Sequence, residues 1–408
     1  MTFKCRHCNS PLTNQILDLG NHPPSNSYLN EDQILMPEIT YPLKVFLCSK
    51  CWLSQIPEFV KPKNLFTPEY AYFSSTSSSW CLHAKKYVNL ASSKLSLNQK
   101  SFVLEIASND GYLLQYFKEI NVNCLGIEPT IKTAEEAEKK GIKTIKKFFG
   151  EKFSKKLKDD EIVPNQGCDL IIANNVLAHV PDINDFIKGI TNVLAENGTF
   201  TVEFPHLLKL IKYNQFDTIY HEHYSYLSLS FLKRLCNSFD LHIYHVEEIN
   251  THGGSLRVWI SKNRSFCISE EVQNILTIEK EFGIETTKPY ESLQTEAEII
   301  KLSLLRYLIE NKEKKTSIAG YGAAAKANTL LNFAGVKADL ITMIADKAKS
   351  KQNLYMPGSH IPIVSPEKLI ENNIDEYIVF PWNLIKEIIN EFKDKSLITF
   401  IPYKKKWI

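Results

Sequence analysis

Short apolar runs separated by stretches of helical spacing recur through the middle of the chain. Ser101 to Ile106 is brief and rich in β-formers, and Leu113, Leu114 and Phe117 follow at helical spacing, so the segment predicts strand, tight turn, helix. Gly126-Ile127-Glu128-Pro129 closes a second strand, a helix is expected around Ala134 to Lys140, and Asp169 to Ala173 and Thr199 to Phe204 read as further buried strands. Leu241 to Glu247 and Leu256 to Ser261 predict an antiparallel hairpin that finishes the sheet. A charged, mostly helical region to Lys315 leads into a second strand-turn-helix unit at Thr316, with Leu340 to Ala345 as its next strand. The rhythm is absent before about Pro68, and a Ser/Thr cluster through Ser79 precedes a helix from Trp80 to Ala91. The pattern predicts an α/β protein of three domains, residues 1–68, 69–265 and 266–408, the last two Rossmann-like.

The turn after the first central strand carries the most chemistry. Its sequence, Val103 to Gly111, aims backbone N–H groups at a ligand. Glu128 stands about twenty residues later at the end of the next strand, where an acid can accept hydrogen bonds from a ribose diol. The turn holds a single glycine, whereas a pyrophosphate needs a richer glycine loop for close approach, and Glu105 lies inside the strand end. Together these features read as an S-adenosylmethionine site, with Glu105, Ala107, Asn109, Gly111, Glu128 and Pro129 as candidate contacts. Asn174 and Asn175 join them, at the carboxyl edge where open α/β sheets bind ligands.

Composition narrows the class. The chain has 408 residues, 44% hydrophobic and 23% charged, with a net charge of +2 and the two signs interspersed. That excludes an electrostatic footprint for nucleic acid or an anionic membrane. No stretch approaches the roughly twenty apolar residues of a membrane span, and the first residues lack a signal-peptide core, so a cytoplasmic protein is expected. Oligomeric state has no signature in the chain.

Four of the nine cysteines, Cys5, Cys8, Cys48 and Cys51, form two C-x-x-C pairs. Two residues between thiolates let one turn present both sulfurs to a tetrahedral ion, and two such turns close the site to water. A structural zinc ion is expected, with His7, inside the first pair, as an alternative ligand.

Ile219-Tyr220-His221-Glu222-His223-Tyr224 is the densest cluster of proton-transfer groups. Spacing of i and i+2 would splay His221 and His223 on a helix, which argues against a metal site. In an extended segment Tyr220, Glu222 and Tyr224 share one face and the histidines the other, and either face could line a pocket. Histidine suits a general base because its unperturbed pKa lies near working pH. Downstream, Thr251-His252-Gly253-Gly254 joins the two late strands. Gly320 and Gly322 begin an imperfect dinucleotide-type loop, Lys326 lies at the following helix start, and Asp346 falls where a ribose acid belongs. A nucleotide-linked substrate whose phosphates meet Lys326 and the helix N-terminus explains this second unit more economically than a second cofactor.

The order of the C-x-x-C pairs, Glu-Ile-x-Ser-Asn-Asp-Gly, Gly-Ile-Glu-Pro, Ala-His-Val-Pro-Asp, Tyr-His-Glu-His-Tyr, Thr-His-Gly-Gly-Ser-Leu-Arg and Gly-Tyr-Gly-Ala-Ala-Ala-Lys-x-Asn resembles the nucleotide-sugar C-methyltransferases of branched deoxysugar pathways. The resemblance covers nearly the whole chain. It implies a zinc-binding N-terminal domain, a class I methyltransferase domain and a C-terminal α/β domain that helps hold a nucleotide-linked keto-deoxysugar. It further implies His223 as base, with Tyr220, Glu222 and His179 around it. Tyr72, Ser75, Tyr224, His252, Lys326, Asn328 and Asp346 are the expected substrate contacts. Ala107 and Ala327 depart from the family, which usually has glycine there. The expected orientation of His223 comes from Glu222, with enolate stabilisation from Tyr220 or His179, roles that could be exchanged.

Rival readings are a nicotinamide-dependent oxidoreductase or epimerase using the Gly320 loop, a non-catalytic nucleotide-sugar binding protein, and an O- or N-methyltransferase. Nicotinamide binding would favour the first, and a new methyl on an atom other than carbon the last. Glu128 and His223 speak against a pure scaffold, which needs neither.

Overall fold

A computed structural model describes residues 3–61, 65, 73–392 and 395–407. Tyr72 and the expected boundary at 68/69 lie outside these residues. Among them, no helix is long and apolar enough to cross a membrane.

The first sheet is antiparallel and small. β1 (Asn14–His22) pairs with β2 (Tyr41–Leu47), and β2 with β3 (Ser54–Gln55). Alternation along β2 sends Leu43, Val45 and Leu47 into a core shared with the last domain.

The central sheet contains β4 (Phe102–Ile106), β5 (Asn123–Ile127), β6 (Thr144–Ile145), β7 (Cys168–Asn174) and β8 (Leu194–Pro205), all parallel. A short strand after β8, β9 (Ser225–Tyr226), leaves this sheet and pairs with β3, completing the first one. The hairpin β10 (His242–Ile249) and β11 (Ser255–Ser261) then closes the central sheet, with β11 antiparallel to both β8 and β10. Strand order is β10-β11-β8-β7-β4-β5-β6. The order reverses between β4 and β7, so the carboxyl ends of these two strands open a crevice for ligand. Their interiors, Val103, Leu104, Leu170, Ile171 and Ile172, are fully buried, as a strand covered on both faces requires.

The last sheet, in the order β14-β13-β12-β15-β16-β17, comprises β12 (Ile318–Tyr321), β13 (Ile344–Ala345), β14 (Ile363–Val364), β15 (Glu376–Val379), β16 (Ser396–Thr399) and β17 (Lys405–Trp407). Five strands are parallel and β17 is an antiparallel edge. β13 forms over only two of the six residues expected for it.

The helix Glu270–Phe282 lies beyond the boundary expected at 265/266, yet it buries Val272 and Ile275 in the central core. Its Glu279 accepts bonds from Leu229 and Ser230 N–H groups, at 2.6 and 2.7 Å, and pairs with buried His206 at 2.7 Å. The carboxylate thus caps the helix Leu229–Asn237, which packs on the central sheet. The next helix, Leu293–Glu313, packs instead into the core shared by the first and last sheets.

Candidate active site

The turn after β4 winds through positive φ at Ala107 (54°), Asn109 (50°) and Gly111 (73°). Glu128, at the end of β5, holds it. One carboxylate oxygen accepts from Asn109 N–H at 2.9 Å and the other from Thr130 N–H at 2.8 Å. Burial raises this carboxyl above its ordinary value. Pro129 follows and directs the chain out of the strand. Glu105 is buried with its Oε2 unpartnered, and burial, then the charges of Glu128 and Asp110, hold it well above the carboxylate range. The Ser108 hydroxyl, Asn174 Oδ1 and both amide atoms of Asn175 are likewise buried without partners. Buried polar groups almost always find hydrogen bonds. Such atoms gathered at one crevice fit a polar ligand with donors and acceptors of its own, as S-adenosylmethionine has.

Ser75, expected beside the substrate, sits against this turn: its hydroxyl bonds to the Asp110 carboxylate, while Ser74 N–H donates to Asn109 Oδ1 at 2.9 Å. Lys140 pairs with the same carboxylate at 3.3 Å.

The Tyr-His-Glu-His-Tyr segment is a turn, not an extended strand, so strict alternation fails. His223 N–H donates to the Tyr220 carbonyl at 2.9 Å, which brings the two rings together with centroids 4.0 Å apart and planes tilted by 32°. Nδ1 of His223 donates to the Thr218 carbonyl at 2.8 Å, because a carbonyl can only accept. Nε2 therefore carries the lone pair, and the Tyr220 hydroxyl donates to it at 2.8 Å. The group that orients His223 is thus the Thr218 carbonyl rather than Glu222. Glu222 instead receives Asn26 Nδ2 at 3.0 Å through Oε1, and its backbone carbonyl accepts from Nδ1 of His179 at 2.7 Å. His179 follows β7 in the short helix Leu177–His179 and lies 4.7 Å from the His223 ring, joining the pair to the cofactor edge. Burial, then the neighbouring His179, holds His223 well below its ordinary pKa, and burial pushes His179 down to about 4.

Tyr224 is not a site residue. Its hydroxyl donates to the Val60 carbonyl at 2.9 Å, and its buried ring lies under the Arg6 guanidinium. His221 turns toward the Pro42 carbonyl at 3.2 Å.

The last domain meets the pocket through a group that sequence reasoning missed. Trp382, just after β15, donates to Asp217 Oδ2 at 2.7 Å, and Lys326 Nζ rests 4.1 Å above its ring while donating to Asn383 Oδ1 at 2.8 Å. Burial lowers Lys326 to about 8, against the pull of Asp217, whose own carboxyl burial raises to about 6. A Pro-Trp-Asn sequence at a strand end was the only local signal. Gly253 packs against the Trp382 ring at φ 87°, where a Cβ would meet ring carbon at 2.3 Å. His252, also at positive φ, stands edge-on to Trp80 at 5.3 Å, and burial lowers it to about 4. Asn328 donates to the Ser25 carbonyl and leaves Oδ1 unpartnered. Asp346 pairs with Lys351 at 3.4 Å, and Lys351 and Tyr28 both donate to the Ala323 carbonyl of the glycine loop, at 2.8 and 2.6 Å. Ala327 faces the buried core rather than the pocket, so the departure from glycine there costs no room at the site.

The four thiol sulfurs lie within 4.8 Å of one another, with Cys5–Cys51 and Cys8–Cys48 both at 3.5 Å. Tetrahedral zinc at 2.3 Å from each sulfur requires separations of about 3.8 Å, so the donor set fits. His7 bonds to Asn184 at 2.8 Å and is not a ligand. Arg6, between the first two cysteines, donates to the Pro181 carbonyl at 2.7 Å and to that of Ile56. The Pro181 contact docks the knuckle on the central domain.

A seven-stranded sheet of this order, with an acid-held turn at its switch point, defines an S-adenosylmethionine-dependent methyltransferase with a structural zinc site. Residues 82–246 match the family model "Methyltransferase domain", residues 5–66 "Putative zinc binding domain", and residues 250–401 "C-methyltransferase C-terminal domain". The chain is 31% identical over 393 residues to the C-methyltransferase NovU of Streptomyces niveus, covering 96% of this chain and 92% of that one. It belongs to this family of three-domain C-methyltransferases. Solved structures that it resembles include an S-adenosylmethionine-dependent methyltransferase from Thermotoga maritima, 16% identical with TM-score 0.36, covering 48% of this chain and 98% of that one. Magnesium protoporphyrin IX methyltransferase from Synechocystis is another, 12% identical with TM-score 0.32, covering 44% and 79%.

Proposed function

We propose that the enzyme methylates the carbon beside the ketone of a nucleotide-linked 4-keto-6-deoxy sugar. The observation that carries this reading is the His223 tautomer. Nδ1 is tied to a backbone carbonyl, so Nε2 keeps its lone pair, which the phenol of Tyr220 meets at 2.8 Å. The imidazole, kept neutral by burial, takes the proton from the ring carbon, and the electron pair of that C–H bond becomes an enolate. Tyr220, turning its hydroxyl from Nε2 to the ketone oxygen, stabilises the charge that develops there. S-adenosylmethionine, when bound, supplies a sulfonium methyl already activated for attack by carbon. Glu105, Asn109, Glu128, Asn174 and Asn175 would hold it, and the crevice aligns it with the enolate. Lys326, Asn383 and Trp382 receive the nucleotide and its phosphates, a role that restores to Lys326 the countercharge its burial withholds.

The loop after β12 supports a substrate site over a nicotinamide site. Its carbonyl and the acid at the ribose position are already engaged by Tyr28 and Lys351.

The test is mass spectrometry after incubation with S-adenosylmethionine and dTDP-, GDP- and CDP-linked 4-keto-6-deoxy sugars in deuterated water. A methyl-mass gain located on carbon, with deuterium uptake beside the ketone, is expected for one member. A methyl on oxygen or nitrogen, or no change with any member, would overturn the reading.

A further inference from the structure

The segment after β1 runs as a strap along the last domain and touches the central one. Ser25 offers its carbonyl to Asn328, Tyr28 donates to the Ala323 carbonyl at 2.6 Å, and Leu29 forms a two-bond bridge with Tyr355 at 3.0 and 2.8 Å. Further along, Glu38 accepts from Gly358 N–H at 2.9 Å and from His360 at 3.0 Å. Between these anchors Asn26 donates its side-chain amide to Glu222 Oε1 at 3.0 Å, across 196 residues of sequence. The strap is therefore fixed on either side of Asn26, and the amide has little freedom to leave the carboxylate.

Glu222 is 1% exposed and its second oxygen, Oε2, is buried without a partner. It adjoins both imidazoles of the site: its carbonyl accepts from Nδ1 of His179 at 2.7 Å, and His223 is the next residue of the same turn. A buried carboxylate with one oxygen tied and the other open is an acceptor waiting for a donor. We propose that Asn26, from the zinc-binding domain, is a positioning residue for the reaction: it clamps Glu222 so that Oε2 receives a hydroxyl or amino hydrogen of the substrate ring. Sugar recognition is then built from all three domains, with the ring's polar substituent read by a carboxylate whose direction the first domain sets. Burial works against the charge on Glu222, and the donors of Asn26 counter it. Losing the amide removes the donor that fixes the direction of the acceptor.

This rests on the proposed substrate class, so the keto-sugar that wild-type enzyme methylates must first be found; if none is, the functional reading fails, not this one. With that substrate, a double-mutant cycle tests the clamp. Asn26→Ala is expected to raise KM about tenfold with kcat changed far less, the size of a charge-assisted hydrogen bond. Zinc content and S-adenosylmethionine affinity should match wild type, showing an intact fold. In a Glu222→Gln background, Asn26→Ala should add almost nothing, because its effect runs through that carboxylate. Asn26→Gln, which keeps the amide, should recover part of the loss. An Asn26→Ala variant with unchanged KM, or losses that multiply independently in the double variant, would overturn the proposal. If Asn26→Ala loses zinc or cofactor binding, Asn26→Asp decides: its charge repels Glu222 at near-constant volume, and an unchanged KM there would overturn it too.

Discussion

The phenol of Tyr220 donates to Nε2 of His223 at 2.8 Å while Nδ1 of the same ring is spent on the Thr218 carbonyl at 2.8 Å. One ring atom therefore keeps its lone pair for the proposed role of base, and one hydroxyl already donates to it. Tyr220→Phe should lower kcat about 100-fold with S-adenosylmethionine affinity unchanged, and His223→Ala should abolish turnover with the same binding retained. Single-turnover methyl transfer together with cofactor titration checks both. Near-normal turnover by either variant would remove that group from the mechanism.

The proposed base acts as the neutral imidazole, and burial, then the neighbouring His179, holds His223 well below the ordinary histidine value. A depressed pKa extends the active plateau toward acid. The acid limb of kcat/KM should therefore fall well below pH ~6.5, the unperturbed value. A half-activity point at or above that pH would contradict the assignment. The same sign governs stability. His22 is lowered by burial to about 4, so the unfolded chain takes up a proton before the folded one does. Folding stability is complete above about pH 6.5 and declines as pH falls toward the folded value, a trend that His22→Gln should weaken in thermal melts.

Ala107 occupies the left-handed region at φ 54°, where a Cβ crowds the carbonyl oxygen. Relief of that strain by Ala107→Gly should stabilise the folded enzyme by about 1 kcal/mol and leave cofactor affinity equal or tighter. Differential scanning calorimetry with and without S-adenosylmethionine decides it. A lower melting temperature would show that the methyl group packs favourably enough to outweigh its backbone cost.

Cys48→Ser removes one of four sulfurs from a closed donor set. Zinc content measured by plasma emission should drop toward zero, and the first sheet should lose protection from hydrogen exchange. Full metal occupancy would show that the knuckle holds no ion through Cys48.

Lys326→Met keeps the stem over the Trp382 ring and removes the ammonium. The KM for the nucleotide-linked sugar should rise about tenfold or more with kcat nearly unchanged, because phosphate binding is common to ground and transition states. A fall in kcat at constant KM would move Lys326 from substrate binding to the chemistry.

Local patterns were legible and tertiary partners were not. The β4 turn with Glu128, the two C-x-x-C pairs and the late hairpin each declare themselves within short stretches, and the structure brings each together. Tyr224 was misplaced because alternation presumes extended backbone, and the segment turns at His221 and Glu222. The Thr218 carbonyl was invisible as the orienting group, since any residue at position 218 would offer one. Asn26 and Trp382 reach the site only through packing of distant segments, and neither has the spacing that marks a motif.

β9 begins one residue after the Tyr-His-Glu-His-Tyr turn and finishes the sheet that β1 started. The first domain is therefore not an exchangeable cassette. Its sheet is one strand short without residues 225 and 226. A chimera that swaps the leading segment between relatives must carry the catalytic turn with it or splice two edges that never paired.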